Sequence, residues 1–317
     1  MPSTRPGLPE APLHEVVAGM PQLALHGLSE NWLLKECGDR HWRMLADAFG
    51  LPQPAFRDRD GNRLYATFTG LSVTEARLDR VAEHDRLRFH GQVGRVSRTQ
   101  YQSVQRVAVG DRRIATVAMV SAFLRRAVPG DNRSVLRALP HPFPLSLAPL
   151  SPAAGTVAAD PQAPLPQLCQ RFRREDWQDH RGFRRADRLP LGEVAIDQIA
   201  IDPCPHRDFN GAGFLYFAAF QAFLDQAEWA LFRARGPGLV TTGRDLFYYG
   251  NINPGDRLGI GLCGVRQDGD RLSHWFEIRR ASDGARIAEG FTERRAVSNA
   301  NFSPLPCPSP APGEGQS

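Results

Sequence analysis

Two short segments carry residue types that can do chemistry at a fixed spacing. In Asp208-Phe209-Asn210-Gly211 a carboxylate and an amide stand two residues apart, just ahead of a strongly apolar stretch. Asp208 can orient a water or take a proton, and Asn210 can donate to a carbonyl. The same residues can also make an Asx turn that feeds a helix. In Gly27-Leu28-Ser29-Glu30, free backbone N–H groups at a helix start can hold a carbonyl oxygen that gains negative charge. Ser29 and Asn31 serve equally well as ordinary caps, with Gly27 relieving a tight entry. Glu30 suits an acid, a base or a carboxylate that simply matches the helix dipole. Asn251 and Asn253 fall in a turn, where amides either bind a ligand or set the turn. The cysteines Cys37, Cys169, Cys204, Cys263 and Cys307 are scattered and none lies in a CxxC, so neither a zinc site nor a disulfide framework is expected. No dinucleotide fingerprint, Walker loop, HExxH or GxSxG occurs, which excludes the usual cofactor enzymes and the serine hydrolase route.

The elements that must position these residues come in two blocks, 13–128 and 170–298. Proline marks the boundaries: nine prolines from Pro129 to Pro166 make 129–169 read as a linker. Residues 1–12 and 299–317 read as disordered ends. Each block opens with a short strand, His14 to Val17 and Gly192 to Ile201. A helix follows, Leu28 to Phe49 in the first block and Gly213 to Phe232 in the second, each preceded by glycine (Gly27; Gly211 and Gly213). The second helix is nearly all apolar, as expected for burial on several sides. Four alternating segments follow each helix: Arg63 to Val73, Leu87 to Val96, Tyr101 to Val109 and Ile114 to Phe123, then Val240 to Tyr249, Arg257 to Val265, Leu272 to Ile278 and Ile287 to Ala296.

The blocks also match in detail. Asp85-Arg86-Leu87 corresponds to Asp256-Arg257-Leu258, and the turn at Gly110-Asp111 to that at Asp283-Gly284, at nearly constant offset. A strand, a long helix and four antiparallel strands, repeated, is the order of an α+β tandem (double) hot-dog fold, with an antiparallel sheet wrapped around a central helix in each half. Hot-dog thioesterases and dehydratases often carry a carboxylate or amide ahead of the helix, and Asp208 and Asn210 look like that arrangement. No histidine lies immediately inside the motif, although His206 is two residues away.

Three stretches resemble one family. They are Gly19-Met20-Pro21-Gln22-Leu23-Ala24 with Gly27-Leu28-Ser29-Glu30-Asn31-Trp32-Leu33; Asp208-Phe209-Asn210-Gly211-Ala212-Gly213-Phe214-Leu215-Tyr216-Phe217; and Tyr248-Tyr249-Gly250-Asn251-Ile252-Asn253-Pro254-Gly255-Asp256. All are similar to the LnmK-like family of double hot-dog biosynthetic proteins, related to the leinamycin-pathway acyltransferase/decarboxylase. The resemblance implies action on acyl thioesters of coenzyme A or of an acyl carrier protein's phosphopantetheine arm. It also implies a tyrosine that accepts the acyl group and loss of carbon dioxide from a malonyl-type unit. Tyr65, in Leu64-Tyr65-Ala66-Thr67-Phe68, matches that tyrosine, although the family pattern carries more aromatics there. A phenol with a free pKa of about 10 needs a base or donors that favour phenolate. His84 and His90 are candidates for that base or are rim histidines, and Tyr65 itself equally suits a strand residue packed on the helix.

Charge permits such a ligand. The formal charge is +5 and Lys35 is the only lysine, so the basic groups are nearly all arginine, which binds phosphate and carboxylate bidentately. Arg86, Arg88 and Arg95 are candidates for the mouth of a tunnel. No recognition motif for nucleic acid is present and no apolar run is long enough for a membrane. A cytoplasmic chain with no permanently bound cofactor, no metal, acyl-CoA as substrate and an acyl carrier protein as partner is expected. Monomer and homodimer both remain open, because a tandem chain already holds the pseudo-dimer. The favoured activity is acyl transfer, with or without decarboxylation. A thioesterase using water near Asp208 or Glu30, a dehydratase, and a non-catalytic acyl or carrier-protein binding module are the alternatives.

Overall fold

A computed structural model describes residues 14–143, 147–150, 156–157, 160–190, 198–233 and 238–297. The ends expected to be disordered, Cys307 and most of the strand expected over Gly192 to Ile201 lie outside them.

The first half runs β1 (His14–Val17), α1 (Glu30–Ala48), β2 (Tyr65–Thr74), β3 (Arg86–Arg95), β4 (Gln100–Val109) and β5 (Arg112–Arg126). A helix α2 (Leu165–Arg173) precedes the second half, which runs β6 (Gln198–Ile201), α3 (Phe217–Phe232), β7 (Leu239–Tyr248), β8 (Leu258–Asp268), β9 (Arg271–Arg280) and β10 (Arg286–Ala296). Strand alternation follows the sequence: on β3, Leu87 and Phe89 are buried while Arg86 and His90 are exposed. The order across the sheet is β1-β3-β4-β5-β2-β7-β10-β9-β8-β6, every neighbour antiparallel. Read from either edge it presents corresponding strands of the two halves, with an approximate two-fold axis between β2 and β7. That central pair places Leu71 opposite Leu246 and Ser72 opposite Asp245.

Both long helices pack on one face of this sheet. Leu33, Leu34 and Cys37 of α1 and Phe220, Phe223 and Leu224 of α3 belong to one continuous core with Leu71, Leu246 and Phe276. The helices lie side by side in opposite directions. Asn31 donates to the Ala218 carbonyl and to Gln221 Oε1, both at 2.9 Å, while Gly38, further along α1, meets the Phe217 ring.

The other face carries a second cluster. The stretch expected to be linker includes most of α2, whose first turn holds Pro166, a residue suited to that place. Leu165, Leu168 and Phe172 are buried against Phe247, Trp275 and Phe291, and the Phe172 and Phe247 rings stack at 4.0 Å. The expected linker is therefore partly a structural cover for the middle of the sheet. Among the described residues, no helix is long and apolar enough to cross a membrane and no group of side chains could hold a metal ion. Cys37, Cys169, Cys204 and Cys263 are free thiols.

Candidate active site

The start of β2 meets the turn ahead of α3, so a residue of the first half stands beside a loop of the second. Between them lies a cavity of about 230 Å³ lined by Trp42, Tyr65, Phe68, Asn210, Gly211, Phe214 and Phe217 among others. Tyr65 is half-buried, its ring edge-on to Phe214 at 5.1 Å. The Arg63 and Arg126 guanidinium groups each sit 5.4 Å from its centre. Among the described residues, neither a carboxylate nor an imidazole lines this slot.

The turn is held from both sides. Asn210 Oδ1 accepts from the Ala212 and Phe214 N–H groups at 3.0 and 3.1 Å, an Asx turn that leaves the amide NH2 available. Gly213, at φ +74°, closes it. Arg126 donates to the Ala212 carbonyl at 2.6 Å and to Asn132 Oδ1. Buried Asn132 donates to the Gly213 and Ile252 carbonyls at 2.7 and 2.9 Å. α3 then begins without a side-chain cap, so its positive end and first N–H groups are not spent on a side chain.

A second cavity, about 600 Å³, adjoins the first through Thr67, Phe68, Leu215 and Phe217. It adds Tyr249, Asn251 and the arginines 133, 137, 173, 280 and 286. An aromatic slot and a basic chamber thus lie side by side.

The corresponding end of α1 is built differently. Ser29 Oγ accepts from Trp32 N–H at 3.3 Å and caps the helix. Gly27, at φ +91°, is needed because a Cβ there would fall 2.1 Å from the Leu78 carbonyl oxygen. Glu30 is buried and accepts from Arg244 Nε at 2.6 Å, Arg244 Nη2 at 3.1 Å and the Thr241 hydroxyl at 2.6 Å. Arg244 also donates to Asp225 at 2.6 Å, and Arg294 donates to Asp225, Glu228 and Thr241. Burial works to raise the Glu30 pKa, but Arg244 and Arg294 outweigh it and hold it below the usual carboxylate range. At Asp225 burial prevails over the same two arginines and the pKa is raised. Counted from the two N-caps, Ser29 and Tyr216, Glu30 corresponds to Phe217, Gly38 to Asp225 and His41 to Glu228. One helix end is therefore an aromatic slot and its counterpart an ion-pair network.

Of the residues singled out in the sequence, Tyr65, Asn210 and Gly211 come together, with Asn251 in the adjoining chamber. Leu28, Ser29 and Glu30 line a separate cavity of about 400 Å³. Glu30 and Trp42 are twelve residues apart on one helix, roughly 18 Å, so Tyr65 stands far from the start of α1. Its partner is the start of α3. Asp208 lines neither of the two adjoining cavities. It is buried beneath the turn, accepting from Cys204 N–H at 2.8 Å and from Arg207. His84, His90 and His206 are exposed, and none lines the slot. Arg86 pairs with Glu15, Arg88 donates to the Gly110 carbonyl and Arg95 lies over Phe143, so none of the three serves the chamber mouth. Sequence reasoning missed Arg126, Asn132, Arg137 and Arg173. Asn132 and Arg137 fall inside the stretch taken as linker, and no motif marks any of the four.

The sequence matches no family model and no curated protein. In three dimensions the chain is similar to an acyl-ACP thioesterase from Bacteroides thetaiotaomicron VPI-5482, with a TM-score of 0.54 and 10% identity over 90% of this chain and 98% of that one. It is also similar to the 12:0-ACP thioesterase from Umbellularia californica, with a TM-score of 0.55 and 10% identity over 92% of this chain and 100% of that one. The chain is a tandem hot dog. Identity this low speaks for the fold, and a shared fold leaves the chemistry to be argued from the site.

Proposed function

We propose that the chain binds an acyl thioester of coenzyme A or of a carrier protein's phosphopantetheine arm and breaks its C–S bond in the Tyr65–Asn210 slot. One observation carries this reading: an aromatic slot and a larger basic chamber adjoin across Thr67, Phe68, Leu215 and Phe217 at the uncapped start of α3. An acyl group suits the slot and an anionic arm suits the chamber. The thioester carbonyl then lies where the Asn210 amide and the first N–H groups of α3 can stabilise an oxyanion. Hydrolysis is the first reading, in keeping with the two similar structures, both named as acyl-ACP thioesterases. Asn210 would position the attacking water.

Transfer through Tyr65 is the second reading. It is favoured by a slot whose lining has a phenol but no carboxylate or imidazole to activate water. There the phenol oxygen would attack the carbonyl, the thiol would leave with the phenol's proton, and an incoming carrier thiol would take the acyl group and give its own proton to the phenolate. An acyl group with a β-carboxylate could lose carbon dioxide at the same site, its enolate held by the oxyanion donors.

The test is incubation with acetyl-, malonyl- and long-chain acyl-coenzyme A, following thiol release, free acid and the intact protein mass. Hydrolysis gives thiol and acid in equal amounts with no adduct. Transfer gives an adduct that Tyr65→Phe abolishes. Neither thiol release nor adduct over the panel would contradict both.

A further inference from the structure

The five arginines of the basic chamber are not equivalent. Arg133 is paired with Asp256, Arg280 with Asp283, and Arg286 with Glu175, Glu277 and Glu289. Among the described residues, Arg173 donates only to backbone carbonyls, those of Tyr248 at 2.8 Å and Tyr249 at 3.0 Å. Arg137 is exposed and its guanidinium meets no carboxylate among the described residues. The two are close enough to disturb each other: burial, then the charges of Arg137 and Arg286, depress the Arg173 pKa. Cations crowded in this way, without a counter-charge, favour an incoming anion.

We propose that Arg137 and Arg173 form an oxyanion subsite that takes the anionic group of the substrate. Both residues come from the connection between the two halves, Arg137 from the short strand Val135–Arg137 and Arg173 from the last turn of α2. The connection, not either repeat, would then read the charged part of the ligand. The placement rests on the proposed thioester reading, which puts the acyl group in the aromatic slot and the rest of the substrate in the chamber. The oxyanion this placement brings there is a phosphate on the pantetheine arm; a carboxylate at the end of the acyl group reaches the same pair only if the substrate lies the other way round, with its acyl end in the chamber.

The test is calorimetric binding to the full chain with two matched pairs of probes, pantetheine against 4′-phosphopantetheine, and acetyl-pantetheine against malonyl-pantetheine. A phosphate source makes 4′-phosphopantetheine bind tighter than pantetheine by about tenfold or more, and a carboxylate source does the same for malonyl over acetyl. In either case Arg137→Gln removes most of the preference, Arg173→Lys reduces it, and Arg106→Gln, on an exposed arginine outside both cavities, leaves it. Arg137 has no carboxylate partner to lose, so its variant is expected to fold. Equal affinity within both pairs, a preference that survives Arg137→Gln, or no binding of any probe would overturn the subsite. Binding is read without turnover, so a chain that prefers the anionic probe yet releases no thiol keeps the subsite and loses the catalytic reading.

Discussion

Replacing Glu30 with glutamine separates a structural carboxylate from a catalytic one. Glu30 is buried and accepts three hydrogen bonds, two from Arg244 and one from Thr241. Removing one partner of a buried ion pair costs about 3–5 kcal/mol. Arg244 keeps Asp225 at 2.6 Å and the Thr292 hydroxyl at 2.9 Å. The glutamine also relieves repulsion on Asp225, whose pKa Glu30 helps to raise. Both effects place the loss near the lower end, about 3 kcal/mol. In a chain of this size that lowers Tm by roughly 6 °C. The sign with pH follows from the direction of the shift. The folded pKa of Glu30 is depressed, so its contribution is full above the unfolded value and is lost as pH falls through the folded one. Glu30→Gln should therefore flatten the acid limb of the stability profile. Thiol release from acyl-coenzyme A should stay within about twofold, since the slot lies at the other end of α1, some 18 Å away. Urea unfolding and a thiol assay on the same preparation decide the matter. A hundredfold loss of turnover at unchanged stability would refute the reasoning and put Glu30 in the chemistry.

Three further outcomes follow from the same contacts. His41 is buried between the Ser103 and Ser121 hydroxyls at 2.7 and 2.8 Å, and burial lowers its pKa to about 3. Its depressed folded pKa makes stability fall by about 2 kcal/mol between pH 7 and pH 5; His41→Asn should remove that slope in urea titrations, and an unchanged slope would count against it. A Cβ on Gly38 would sit 2.5 Å from the Phe217 ring, so Gly38→Ala should cost about 1–3 kcal/mol and, by shifting Phe217, impair longer acyl chains more than acetyl; equal kcat/KM losses across chain lengths would contradict this. Asn132→Ala removes the buried donor to Gly213 and Ile252 and the acceptor for Arg126. It should cost about 2–3 kcal/mol and weaken turnover through the loosened turn; a stable variant with normal kinetics would show that the turn does not depend on it.

The repeat was legible because it rests on local signals. The strand openings at Asp85 and Asp256 and the turns at Gly110-Asp111 and Asp283-Gly284 each declare themselves within a few residues, and the sheet pairs them as their offset requires. The start of the second helix was less so. Gly213 to Tyr216 are drawn into the Asx turn and the Phe209–Leu215 bridge, so α3 begins only at Phe217. The meeting of Tyr65 with the Asn210 turn could not be read, because it depends on packing between the halves. The same is true of Glu30 and Arg244, which lie 214 residues apart. Arginine in the middle of a strand looks solvent-facing until its strand is central. In the connection, proline dominated the reading and hid α2, Asn132 and Arg137.

On the proposed reading the thioester lies between Tyr65 and the Asn210–Phe214 turn. The most direct measurement is a crystal structure of the chain with a non-cleavable acyl thioether of coenzyme A. The expected result is the acyl chain in the aromatic slot, the carbonyl oxygen within hydrogen-bond reach of the Asn210 amide or the first N–H groups of α3, and the arm in the arginine-lined chamber. An acyl group bound instead at the start of α1, beside Ser29 and Asp225, would contradict it.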